Sequence, residues 1–273
     1  MVRREIEQFM THLRENEKSP VTVEKYERDV RAFAAFAGER ALTRELVLAY
    51  KEALTEQYAV ASVNSMLAAL NGFLQYLGRR DLCVKHLRCQ RRIFCEEDRR
   101  LTREEYGRLL KAAEGDERLR LILQTICGTG IRVSELRFFT AEAIRSRSVT
   151  VRCKSKSRAV LLPEKLRCKL LEYARARGIR SGAIFVTRGG RPMDRSNIWS
   201  QMKRLCASAR VSEKKVFPHN LRKLFARTLY RLEKDIAKLA DLLGHRSIDT
   251  TRIYIMTGDR EHRRLLERAG LIE

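Results

Sequence analysis

The chain has no apolar run approaching the ~18 residues that a membrane-spanning helix needs. Its first residues, Met-Val-Arg-Arg-Glu-Ile-Glu, are charged and lack the apolar centre of a secretory signal. A cytoplasmic protein is therefore expected. Paired cysteine spacing is missing too. The seven cysteines are an odd number, scattered along the chain, which fits reduced thiols better than a disulfide framework. Cys83, Cys89 and Cys95 recur every six residues around His86. Zinc ligands usually stand two to four residues apart, so no metal site is expected. Internal repeats, low-complexity tracts and a Walker-type phosphate loop are also absent. Acidic residues are scarce: 34 Asp and Glu stand against 57 Lys and Arg, a formal net charge of +23. So large an excess on a chain that is 44% hydrophobic predicts a folded protein with an anionic partner, nucleic acid first among them.

At 273 residues the chain is long for one domain and comfortable for two. The first 78 residues read as short helices: Glu5 to Leu13, a helix capped by Thr22 and stopped by Gly38, Leu42 to Leu54, and Val60 to Leu77. Leu67, Leu70, Leu74 and Leu77 recur at threes and fours, the mark of a core-facing helix face. No strand signal appears, so residues 1–84 are expected to form a helical bundle. Arg79 to Arg100 carries eight basic and four acidic residues with weak periodicity. Residues 85–100 read as a basic linker. Arg79, Arg80, Arg88, Arg91 and Arg92 are candidates to meet nucleic-acid phosphates, against the plainer reading of a solvated loop.

The second domain, 101–273, opens on a capping box of Thr102 and Glu105, leading a helix to Ala113. Arg118 to Cys127 follows, and Gly128-Thr129-Gly130 is expected to break the chain. Ser148 to Cys153 and Ala159 to Leu162 read as a hairpin around Lys154-Ser155-Lys156. Helices are expected at Glu164 to Arg177, Asp194 to Ala209, His219 to Arg231, Asp235 to Leu243 and Ser247 to Ile255. The fold class is mainly α with one small β-sheet. A 19-residue tail follows Tyr254, made greasy on one side by Leu265, Leu266, Ala269, Leu271 and Ile272. It is expected to dock either on a neighbouring subunit or on its own domain.

Two clusters in this domain carry chemistry. In Thr129-Gly130-Ile131-Arg132-Val133-Ser134-Glu135, glycine lets backbone approach a phosphate, and Arg132 is expected in the first turn of the next helix, where it can fork two donors onto phosphate oxygens. In the second, His219 and Arg222 stand three apart and share a helix face. His245 and Tyr254 are nine apart, half a turn out of phase on one straight helix. They can converge only if the chain breaks between them, and Gly244 as a stop with Ser247 as a cap supplies the break. Taken singly, each residue has a plainer reading: a histidine satisfied at a helix end, or Tyr254 as core between Ile253 and Ile255.

The pattern Thr-Gly-x-Arg-x-x-Glu-Leu, His-x-x-Arg, Leu-Gly-His and Tyr resembles the tyrosine recombinases, the lambda-integrase family. The intervals agree as well: 245 − 222 = 23 and 254 − 245 = 9. Ser19 to Gly38 and Ala61 to Leu77 resemble that family's helical core-binding domain. The resemblance implies an α+β catalytic domain and an enzyme that cuts and rejoins DNA. Tyr254 would be the nucleophile, giving a 3′-phosphotyrosine. Arg132 and Arg222 would hold the phosphate and His245 would donate to it. His219 would help accept the tyrosine proton, and Glu135 would orient Arg132. The family's leaving-group lysine sits in a glycine-containing turn. Here the turn is Cys153 to Arg158 without glycine, and Lys154 is the choice over Lys156. The resemblance further implies double-stranded DNA with specific recombination sites as partner, a homotetramer assembled on it, and no cofactor, metal or ATP. Bound to DNA, such a protein would sit at the nucleoid. The rivals are a type IB topoisomerase and a non-catalytic DNA-binding regulator.

Overall fold

Apolar residues at helical spacing build the first of two units, residues 1–91. The computed structural model describes residues 2–88, 97–153, 156–245 and 247–256. The first unit holds α1 (Val2–Glu15), α2 (Pro20–Ala37), α3 (Arg44–Gln57) and α4 (Val60–Tyr76). Leu67, Leu70 and Leu74 are fully buried, as their spacing predicts. The cap of α2 is Ser19 and not Thr22: the Ser19 hydroxyl accepts from the Thr22 backbone N–H. Pro20 explains the earlier start, since the first helical position needs no N–H and its φ is preset. Thr43 caps α3 in the same way through the Leu46 N–H.

Beyond α4 the chain turns at Arg80–Leu82 and runs extended. Two asparagines fasten this segment to α4. Asn64 donates to the Leu87 carbonyl at 2.9 Å and accepts from the Leu87 N–H at 2.7 Å. Asn71, two helical turns on, does the same to Val84 at 2.8 and 3.0 Å. Side-chain amides thus supply the donor and acceptor that a neighbouring strand would otherwise offer. Lys51 adds a bond to the Lys85 carbonyl. Arg79 pairs with Asp81 at 3.0 Å. Arg79, Arg80 and Arg88 are exposed, whereas Arg91, Arg92, Cys89 and Cys95 lie outside the described residues.

The second unit, 92–273, begins with the capping box as read. The Thr102 N–H donates to Glu105 at 2.9 Å and the Glu105 N–H donates back to the Thr102 hydroxyl at 3.2 Å. This starts α5 (Arg103–Ala112). Helix α6 (Glu117–Thr129) runs through Gly128 and ends at Gly130, so the expected break falls on the last of its three residues and the helix is two residues longer than read. The Thr129 hydroxyl bonds back to the Thr125 carbonyl, and that of Thr125 to Leu121. Both polar groups are satisfied within the helix, and the helix continues. Strands β1 (Ser148–Cys153) and β2 (Lys156–Leu161) pair antiparallel, Val149 opposite Val160 and Val151 opposite Arg158. The second strand starts three residues before its predicted Ala159. Then come α7 (Glu164–Ala176), α8 (Arg195–Ala209), α9 (Pro218–Glu233), α10 (Ile236–Leu243) and α11 (Ile248–Ile255). A core around Ile122, Ile126, Ile198, Met202 and Leu221 holds α7, α8 and α9, and a smaller cluster of Ala226, Leu239, Leu243 and Tyr254 joins α10 and α11 to α9. Lys154 and the tail beyond Met256 lie outside the described residues. Among the described residues no helix is long and apolar enough to cross a membrane.

Candidate active site

Three helix ends meet where α9 begins. Pro218 opens α9 and puts His219 and Arg222 one turn apart on its inner side. The left-handed Gly130 (φ +65°) ends α6 against α9. A Cβ there would lie 2.3 Å from the Phe225 ring, so only glycine permits this approach. Its carbonyl accepts from Arg222 Nη1. Helix α10 ends at Gly244 with φ +63°, and Ser247 caps α11 by accepting from the Asp249 N–H at 3.1 Å. This is the break that brings His245 and Tyr254 together.

Their rings stand perpendicular with centroids 4.7 Å apart, and His219 meets Tyr254 the same way at 4.9 Å. The Tyr254 hydroxyl is 3.5 Å from His219 Nδ1. Arg222 is almost wholly buried. Its Nη2 donates to the Leu243 carbonyl at 2.6 Å and contacts His245 Nε2 at 3.0 Å. Its Nε has no partner among the described residues. Burial, followed by the Arg132 charge, lowers Arg222 to about 10, so it remains cationic at neutral pH.

Arg132 is not in a helix first turn. It is an extended residue just ahead of a 3-10 helix at Val133–Phe138. Glu135, 2% exposed, explains the shape. It accepts from the Arg132 backbone N–H at 2.8 Å and from Arg132 Nη1 at 3.2 Å. The other end of the Arg132 guanidinium reaches the Gly244 carbonyl at 3.4 Å. A second arginine, Arg158 on β2, donates to the same carboxylate at 2.9 Å. Arg158 lies flat over Gly244, whose added Cβ would meet its Nε at 2.5 Å.

The site is strongly positive. Burial lowers His219 to about 4, with Lys223, Arg222, Arg132 and Arg195 adding to the effect. Burial and then Arg222, Arg132, His219 and Arg158 bring His245 to about 4 as well. Both rings are neutral at neutral pH. The outer part of His219 stays open to solvent, so the cations around it can be reached by an anion from outside. Guanidinium groups, ring N–H donors and a tyrosine hydroxyl converging on one spot suit a phosphodiester.

The sequence pattern of the phage integrase family matches residues 99–261, and that of the phage integrase N-terminal SAM-like domain matches residues 6–81. The chain belongs to the phage integrase family, the tyrosine recombinases. It is similar to the tyrosine recombinase XerA of Thermococcus kodakarensis, 32% identical over 98% of this chain and 96% of that one. It also matches a crystal structure of XerA recombinase at 25% identity and TM-score 0.56, covering all of both chains. A lambda integrase tetramer bound to a Holliday junction shares the fold at 20% identity and TM-score 0.73, covering 94% of this chain and 77% of that one.

Within this integrase-family chain the structure gathers Arg132, Glu135, His219, Arg222, His245 and Tyr254 into one pocket. Lys154 lies outside the described residues. Sequence reasoning passed over two members. Arg158 was read only as the end of a turn, although its place opposite Val151 turns it to the inner face. Thr251, whose hydroxyl lies 2.8 Å from His245 Nδ1, carries no local signal beyond its position one turn before Tyr254.

Proposed function

We propose that this integrase-family chain is a site-specific DNA recombinase that works through a covalent 3′-phosphotyrosine at Tyr254. The Tyr254 oxygen attacks the scissile phosphorus and the bond to the 5′ oxygen breaks. Neutral His219, whose Nδ1 lies 3.5 Å from the phenol oxygen, takes the phenol proton. Arg132 and Arg222 stabilise the charge that builds on the non-bridging oxygens, an effect worth on the order of 10²–10³ in rate for each well-placed donor. His245 donates a further hydrogen bond to the same phosphate. Lys154 supplies the proton that the 5′ oxygen needs. The phosphotyrosine keeps the energy of the broken ester, so a 5′ hydroxyl can reverse the step without nucleotide hydrolysis.

The observation that carries this reading is the Tyr254 hydroxyl against His219, inside a ring of guanidinium charge around Arg222. Residues 1–84 and 101–273 would each contact the duplex, joined by the basic segment 85–100. Arg79, Arg80, Arg88, Arg91 and Arg92 would meet phosphates there. Assembly is as a homotetramer across two recombination sites in double-stranded DNA, in the cytoplasm at the nucleoid. The SAM-like match over residues 6–81 favours a recombinase over a type IB topoisomerase. Nicked DNA that loses a short 5′-hydroxyl fragment on cleavage will trap wild-type protein as a covalent adduct. Tyr254→Phe will bind the same DNA and give no adduct. An adduct of wild-type yield from Tyr254→Phe moves the nucleophile elsewhere.

A further inference from the structure

Arg222 can only donate hydrogen bonds. Its Nη2 lies 3.0 Å from His245 Nε2, so the Nε2 lone pair must face the arginine. In a neutral imidazole the proton then sits on Nδ1. That nitrogen lies 2.8 Å from the Thr251 hydroxyl oxygen. Thr251 is fully buried and stands three residues before Tyr254 on α11, so one eight-residue helix carries both groups. Its β-branched side chain is stiff about χ1, which fixes the acceptor in space.

We propose that Thr251 is the positioning residue of His245: in the DNA-free protein its hydroxyl accepts from Nδ1–H, and it stays on Nδ1 throughout, so that the ring meets other partners only through Nε2. This rests on the reading above, in which His245 meets the scissile phosphate. The groups around the ring are Arg222 and His219 from α9, Arg132 ahead of its 3-10 helix, Arg158 from β2 and Tyr254 from α11. In the DNA-free protein these charges and burial keep the ring neutral. A phosphate oxygen that competes for Arg222 frees Nε2. To donate to that oxygen, Nε2 must gain a proton. The Thr251 hydroxyl serves Nδ1 in either form, accepting from Nδ1–H or donating to a bare Nδ1, so the ring can turn Nε2–H to the phosphate without losing its anchor. Without the hydroxyl, the neutral ring is free to flip, and its orientation toward the phosphate is lost.

Long-range ¹H–¹⁵N spectra of histidine-labelled full-length protein test this directly. The wild-type His245 ring will carry its proton on Nδ1 in the absence of DNA. Thr251→Val, which keeps the shape and removes the oxygen, will shift the ring toward the Nε2–H form, and Thr251→Ser will restore the wild-type pattern. In single-turnover cleavage of nicked DNA, Thr251→Val will be slower by roughly 10- to 100-fold, the range known for partners that orient a metal-bound histidine through its far nitrogen. Thr251→Ser will recover the rate. A wild-type ring protonated on Nε2 overturns the proposal with no variant needed, even if Thr251→Val fails to fold. So does a Thr251→Val protein with wild-type tautomer and rate. Cleavage unaffected by His245→Ala would overturn the role given to His245 itself, and the ring spectrum would still judge Thr251.

Discussion

Gly130→Ala is the smallest change that strikes both the fold and the site. Two separate penalties add. The residue sits at φ +65°, where a side chain costs roughly 1–2 kcal/mol. The new Cβ would lie 2.3 Å from Phe225 Cδ1 and 2.9 Å from Leu243 Cδ2, and overpacking of this kind typically costs about 1–3 kcal/mol. The sum is a destabilisation of about 2–5 kcal/mol. Urea unfolding of the full chain, followed on the transition of the catalytic unit, measures it. The two parts separate in a double-mutant cycle with Phe225→Leu. Replacing the ring will recover the share of the packing cost that falls on Phe225, and will leave the Leu243 contact and the backbone part. The Gly130 carbonyl also receives Arg222, so protein that remains folded will cleave more slowly, by up to about 10²-fold for a displacement near 1 Å. A loss below about 0.5 kcal/mol, the range of an inconsequential surface change, refutes the close approach of α6 to α9.

Glu135→Gln keeps the shape but strips the charge from a buried group that meets Arg132 and Arg158. Breaking a fully buried ion pair costs about 3–5 kcal/mol; with Arg132 and Arg158 partly open to solvent the loss will be smaller than that, and a urea midpoint within error of wild type would contradict it. His219 and His245 sit at about 4, against 6.5 for a free histidine. The unfolded chain therefore binds protons first, and stability falls as pH drops from about 6.5 toward 4. Because both rings are partly open to solvent the fall will be modest, and His219→Asn with His245→Asn will flatten it; an unchanged slope in the double variant removes these residues as the cause. If Lys154 protonates the leaving oxygen, Lys154→Ala will slow cleavage of an ordinary phosphodiester strongly and that of a 5′-bridging phosphorothiolate far less, because a thiolate leaves without a proton. Rescue of Lys156→Ala in place of Lys154→Ala exchanges the two roles.

Most of the helices were legible because they rest on local rules. The Thr102–Glu105 box, the left-handed Gly244 and the Ser247 cap each act within four residues, and each lies where its sequence signal put it. So does the pairing of His219 with Arg222 on one turn. The misreadings came where a local signal had two outcomes. Gly128 can end a helix or ride inside one, and here the left-handed Gly130 is the stop. Arg132 looked like the start of a helix because the glycines ahead of it read as a break, with Glu135 left only as its acidic partner. In the structure that carboxylate wraps back onto the Arg132 backbone and holds it extended. Arg158 and Thr251 were invisible for a different reason. Their partners, Glu135 and His245, lie across a strand or a helix break, and no periodicity within one element reports such a contact. The Asn64 and Asn71 bonds to residues 23 and 13 positions away are hidden in the same way.

Those two amides also bear on how the protein ages. Asn71 is followed by Gly72, the pairing in which an asparagine side chain most readily closes on the next backbone nitrogen, because glycine leaves that nitrogen unshielded. Ring closure ends in aspartate or isoaspartate. Here the Asn71 side chain is occupied at both ends by Val84, and the helix keeps the Gly72 nitrogen turned to its own backbone. The reaction can begin only after the segment lets go and α4 opens locally, so its pace counts local opening events. Once it has happened, a carboxylate replaces the donor that faced the Val84 carbonyl. Two acceptors then oppose each other, and the segment cannot close in its former way. Chemical lifetime and the order of this one extended segment are tied to the same pair of hydrogen bonds.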